Sequence, residues 1–244
     1  MKCLLSVCLV AFALAAGDPP RMVAQASNIQ PSLQKGVSVE MARTSNAVPM
    51  PDADNEGALI VSVTDGGAAY FGVDPITPSA LIDKLKASLA NRQRKFYLKA
   101  DARVPYSDVT KVLEAALSAG IGVPMLLTAQ PASAGPGAVE PPKGLSVLVA
   151  APAGLEKIGL EKIGSAKVVV WVLDSAQHGP TLTINSQPLP WGDLQGALNQ
   201  LLQNRSEKMV VVKADGSIPY AQVVHVIDLC QSVSAKVVLV TPEI

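Results

Sequence analysis

Side chains suited to metal binding or nucleophilic chemistry are scarce in this sequence. It has two histidines and three cysteines in 244 residues, and neither His178 nor His225 stands at a ligand spacing from cysteine or paired carboxylates. His225 falls inside the last predicted helix, where a polar or boundary position is the expected role. No glycine-rich phosphate loop is present, and Gly66-Gly67 is better used by a hairpin turn. Surplus charge is absent as well. Twenty basic and twenty acidic residues cancel, so the basic footprint that nucleic acid requires is missing. Trp171 and Trp191 have no basic or aromatic track beside them, which points to sheet and helix packing rather than base stacking. No cofactor, metal or nucleic-acid partner is expected.

Long apolar runs are also wanting. The run Cys3 to Ala16 is shorter than the about 20 residues of a spanning helix. One lysine precedes it and small residues close it, with Ala13 and Ala15 spaced as signal peptidase needs. Residues 1–16 therefore read as a secretory signal peptide, with a short anchor as the alternative. Cleavage after Ala15 would leave Cys230 as the one cysteine, which cannot form an internal disulfide. On the apolar stripe of its helix it should behave as a small hydrophobe.

What is present is a repeat. Lys99-Ala100-Asp101-Ala102-Arg103-Val104-Pro105-Tyr106-Ser107-Asp108-Val109 returns as Lys213-Ala214-Asp215-Gly216-Ser217-Ile218-Pro219-Tyr220-Ala221-Gln222-Val223, with six residue types at the same spacing. In both copies an apolar run precedes the motif and an amphipathic run follows, the order of strand, turn and helix. Pro105 and Pro219 suit the first helical position, where the missing amide proton costs nothing. Asp101 and Asp215 sit where a carboxylate can accept hydrogen bonds from loop amides ahead of a helix.

The flanking pattern extends the duplication. Residues 17–34, broken by Pro19, Pro20 and Pro31, read as a tether, and 35–128 as the first domain. Lys35 to Val39 reads as a leading strand, repeated as Lys143 to Val147. Ala58 to Thr64, Asp65-Gly66-Gly67 and Ala69 to Gly72 form a predicted hairpin. Thr77 caps a helix with the stripe Leu81, Ile82, Leu85 and Leu89. Lys95 to Ala100 is the next strand, and the helix after the motif carries Val109, Val112, Leu113, Ala116 and Leu117. Gly120 stops it, and Val123 to Thr128 closes the copy. Residues 129–142, rich in alanine, proline and glycine, read as a linker, and 143–244 as the second domain. That domain shows strands at Lys167 to Leu173, Thr181 to Ile184, Lys208 to Lys213 and Lys236 to Thr241. Its helices carry Leu194, Leu198, Leu201 and Leu202, and then Val223, Val226, Ile227 and Cys230. Glu156-Lys157-Ile158-Gly159 recurs as Glu161-Lys162-Ile163-Gly164, with an exposed connection as its expected role. The fold class is α+β, twice: a mixed sheet with two helices on one face, the other face left to solvent or a partner.

These residues resemble the ExbD/TolR family of envelope biopolymer transport proteins. Lys99-Ala100-Asp101 with Pro105-Tyr106 and Val109 is similar to that family's periplasmic strand-to-helix signature. Pro31 to Val39 is similar to its segment following the membrane helix, and Ala47 to Asp54 also resembles members of the family. The resemblance implies work with a polytopic ExbB/TolQ-like partner, TonB-like proteins or the cell wall, and coupling to proton flow. It also implies a membrane helix bearing an aspartate, which residues 16–30 do not provide. The expectation is a non-enzymatic periplasmic adaptor of an energy-transduction system. The alternative is a transport subunit anchored in the inner membrane, and a second alternative is an enzyme using the Lys-Asp-Tyr corner. The corner residues, structural or partner-binding, are Lys99, Asp101, Pro105, Tyr106, Lys213, Asp215, Pro219 and Tyr220. Pairing of a sheet edge with an extended partner segment, or self-association through such edges, is the expected mode of binding.

Overall fold

The computed structural model describes residues 35–89, 95–129, 141–151, 168–175 and 179–241. The predicted signal and tether, most of the linker, the Glu-Lys-Ile-Gly duplication and His178 lie outside the described residues. The first copy opens with a strap over residues 35–44, bent at 35–37 and without regular structure beyond two isolated bridges, at Met41 and Arg43. It continues with β1 (Val48–Pro49), a 3-10 turn at Pro51–Asp54, β2 (Leu59–Val63), β3 (Ala69–Phe71), β4 (Asp74–Pro75), α1 (Pro78–Leu89), β5 (Phe96–Ala100), α2 (Tyr106–Ser118) and β6 (Met125–Thr128). After β7 (Lys143–Ser146) and β8 (Leu148–Ala150), the second copy runs β9 (Val168–Leu173), β10 (Thr181–Ile184), β11 (Gln187–Leu189), a 3-10 turn at Trp191–Asp193, α3 (Leu194–Leu202), β12 (Met209–Ala214), α4 (Tyr220–Ser232) and β13 (Lys236–Val240).

Two mixed sheets result, ordered β1-β7-β6-β5-β2-β3-β4 and β11-β10-β9-β12-β13-β8. Within each copy the hairpin is antiparallel and the helix-linked strands are parallel: β2, β5 and β6 in one, β9, β12 and β13 in the other. The tandem α+β expectation holds. Leu81 and Leu85 of α1, and Val109, Val112, Leu113 and Ala116 of α2, are buried against the first sheet. Leu194, Leu198 and Leu202 of α3 and Val223, Val226, Ile227 and Cys230 of α4 repeat the arrangement. Each fully buried Leu or Val contributes about 1.5 to 3 kcal/mol, and these residues form one cluster continuous across both copies.

The sheets are joined by a single extended run. One edge of β7 pairs antiparallel with β6, and the run continues alongside the first copy through Val147 N to Pro124 O (3.4 Å) and Val149 N to Gly122 O (2.9 Å). The opposite edge serves β1 and then, through β8, pairs in parallel with β13 of the second copy. The leading strand expected to introduce the second copy thus begins in the first sheet.

Two expectations change. Residues 35–39 are not a strand; Gly36, at φ +80°, turns the chain across the sheet, and its missing Cβ avoids Ser62 Oγ, which would lie 2.9 Å away. The face of the first sheet away from the helices is not left open either, because Met50 and Ala53 cover Ile60, Tyr97 and Leu127 in a second apolar cluster. Three of the four outermost strands, β1, β4 and β11, are two or three residues long and each contains a proline, Pro49, Pro75 and Pro188; the fourth, β8, has none, and its outer side gives Val149 N to Gly122 O. Proline has no amide proton to donate, so the three edges that carry one are poor templates for an added strand.

Candidate functional site: the paired motif corners

The two motif corners meet. Pro105 and Pro219 form an antiparallel bridge, each extended (ψ 138° and 133°) and one position ahead of its helix rather than inside it. Tyr106 N donates to Ile218 O at 2.8 Å and Tyr220 N to Val104 O at 2.9 Å. Ser107 N donates to Gly216 O, and Ala221 N to Ala102 O, both at 2.9 Å. Every bond has its counterpart with the copies exchanged, so the chain folds as an internal pseudo-dimer about this joint.

Tyr106 and Tyr220 are fully buried, and burial pushes both phenols far above their ordinary range. Tyr106 Oη reaches across to Val240 O at 3.4 Å, whereas Tyr220 Oη has no partner among the described residues. The helices add a second joint. Asp228 of α4, buried, accepts from Ser45 N (3.0 Å) and Asn46 N (2.8 Å) of the first copy, and Asn46 Nδ2 donates to Asp228 O (3.2 Å). No local signal in the sequence marks this contact, because its partners lie more than 180 residues apart.

Around the joint the copies differ. In the first, Asp101 is buried and accepts from Arg103 N, Nε and Nη2 at 3.0, 2.9 and 3.1 Å and from Glu40 N at 3.1 Å. Hydrogen bonding from the Arg103 guanidinium is the main force holding its carboxyl below the usual range. Lys99, also buried, gives Nζ to Lys35 O at 3.3 Å, and burial lowers its pKa. In the second copy Asp215 accepts from Trp171 Nε1 (3.1 Å) and Asp174 N (2.9 Å), and Lys213 Nζ lies 5.8 Å from the centre of the Trp171 ring. Asp101 and Asp215 thus do accept loop amides.

The Lys-Asp-Tyr set does not converge. Lys99 lies under the strap on one face of the sheet while Tyr106 is part of the core on the other. An exposed cleft beside Asp101 and Arg103 is lined by Ser38, Glu40, Thr64 and Asp65, and a second by Pro180, Trp191, Gln222 and His225. Among the described residues no three His, Cys, Asp or Glu side chains gather as a metal site, and no helix is long and apolar enough to cross a membrane.

The family model described as "Biopolymer transport protein ExbD/TolR" matches residues 22–130 and again 139–243. The chain belongs to the ExbD/TolR family. Each match covers one copy, and the fold of two helix-backed mixed sheets fits tandem domains of that family. The family's members are transport components of the cell envelope with periplasmic domains, and they act with ExbB/TolQ-type and TonB-like proteins. The comparison with curated proteins finds no match, and neither does the comparison with solved structures.

Proposed function

We propose that this ExbD/TolR chain acts by binding, as an exported, non-enzymatic adaptor in a proton-motive-force-linked transport or energy-transduction system, with both copies in the periplasm. The observation that carries this reading is the use of both motif corners as a joint. The residues that could suggest chemistry, Tyr106 and Tyr220 above all, are buried holding the copies together. What remains for function is surface recognition. The family match starts at residue 22, downstream of the apolar run at 3–16, in keeping with a leader that is separate from the working part. The competing reading keeps that run as an anchor docked on a polytopic ExbB/TolQ-like subunit.

Fractionation separates the two. Release by osmotic shock with the N-terminus cleaved is the expected result, and retention in the detergent-soluble membrane fraction would support the anchored subunit. A pull-down from the envelope with the mature chain should recover ExbB/TolQ-type or TonB-like proteins, or cell-wall fragments. Recovery of none of them would remove the adaptor reading.

A further inference from the structure

The repeat places an internal template beside a site that has no matching strap among the described residues. In the first copy the chain's own strap, bent at Gly36, binds the outer side of the motif corner. Lys35 O accepts from Lys99 Nζ (3.3 Å), Glu40 N donates to Asp101, Glu40 O accepts from Ala102 N (2.7 Å), and Met41 bridges Asp101 antiparallel. Gly36 lies over Ser62, the residue paired with Lys99 across β2 and β5.

The matching positions in the second copy are Lys213 for Lys99, Asp215 for Asp101, Gly216 for Ala102 and Trp171 for Ser62, since Trp171 pairs with Lys213 across β9 and β12. No strap lies there among the described residues. The segment whose sequence repeats the strap, Lys143 to Val147, is committed to joining the sheets through β7. Among the described residues Gly216 N has no partner and Lys213 Nζ has only the Trp171 ring, and Trp171 is 41% exposed on the face away from the helices. One of the strap's roles is filled internally, because Trp171 Nε1 and Asp174 N satisfy the Asp215 carboxylate.

We propose that the ledge formed by Trp171, Lys213 and Gly216 binds an extended peptide segment of a partner protein, in the place that the strap takes on the first copy. The peptide's backbone carbonyls accept from Lys213 Nζ and Gly216 N, and a glycine or other small residue lies flat on the Trp171 ring. This differs from strand addition at a sheet edge, which Pro49, Pro75 and Pro188 disfavour at β1, β4 and β11. Its biological meaning rests on the adaptor reading, but binding at the ledge is measurable on the purified chain alone.

The test uses the full chain and a labelled peptide of residues 35–43, Lys-Gly-Val-Ser-Val-Glu-Met-Ala-Arg, followed by fluorescence anisotropy. Saturable binding is expected, weakened about tenfold or more by Trp171→Ala and by Lys213→Ala in variants that still melt cooperatively. A scrambled peptide should not bind. Absence of binding, equal binding of the scrambled peptide, or indifference to both substitutions overturns the proposal and leaves the pull-down result untouched. Self-association by sedimentation that Trp171→Ala abolishes would place a second copy on the ledge and overturn the partner-peptide assignment.

Discussion

Pro105 and Pro219 face each other across the joint as a non-hydrogen-bonded antiparallel pair. Neither has an amide proton, and at this position none is needed, because the flanking bonds run from Tyr106 N to Ile218 O and from Tyr220 N to Val104 O. The duplicated proline thus serves two ends: it sets the extended geometry ahead of each helix and fits the one register in which two prolines can oppose each other.

The tyrosines beside that pair give opposite expectations. Tyr106→Phe removes the Oη bond to Val240 O and should cost about 1 kcal/mol. Tyr220→Phe removes a buried hydroxyl that has no partner among the described residues and should be neutral or stabilising by about 1 kcal/mol. Urea unfolding of the two variants checks the sign, and equal losses would contradict the asymmetry of the joint.

Cutting the connection should not separate the halves. The first sheet contains β7, which continues directly into β8 of the second, and the core is continuous across both. A protease site inserted between residues 131 and 139 and cleaved under native conditions should yield two fragments that co-elute and melt in one transition. Separation on a sizing column without denaturant would show that the copies are independent.

Much of this architecture is local and could be read from residues. The stripe of α2 and the hairpin before α1 are legible because their periods and turn glycines act over a few residues. The turn Asn185-Ser186 escaped because serine does not advertise the left-handed geometry that both residues adopt, φ 48° and 68°. The fate of Lys143 to Val147 escaped for a different reason: a strand's existence is a local property, but its partner is not. The motif corner was visible as a strand-to-helix turn, and the repeat identified its residues. That the two corners bind each other, and that Asp228 holds Asn46, depend on contacts between residues more than 100 positions apart.

Gly144 is required by close approach. A Cβ there would lie 2.5 Å from Leu126 O and 2.8 Å from Met50 Sδ, where β7 meets β6 and the outer cluster. Gly144→Ala should cost about 1 to 3 kcal/mol. Gly57, where an added Cβ would meet nothing within 4 Å, provides the control, and Gly57→Ala should stay within about 0.5 kcal/mol. Thermal melts of both variants settle the comparison.

Lys99 and Lys213 occupy the same motif position in different surroundings, and replacement by methionine separates them. Lys99 is buried, with one carbonyl as its hydrogen-bond partner, and burial lowers its pKa in the folded chain. Between that lowered value and the ordinary lysine value, the unfolded chain holds more protons than the folded one. Stability therefore rises with pH through the window just below 10.5 and loses this contribution at neutral pH. Lys99→Met should raise stability at pH 7 by about 1 kcal/mol and flatten the rise on the alkaline side. Lys213 lies half-buried beside an exposed ring, so Lys213→Met should change stability by less than about 0.5 kcal/mol. Denaturant titrations at pH 7 and pH 10 read both effects, and a destabilised Lys99→Met would mean that the bond to Lys35 O outweighs the cost of burying the charge.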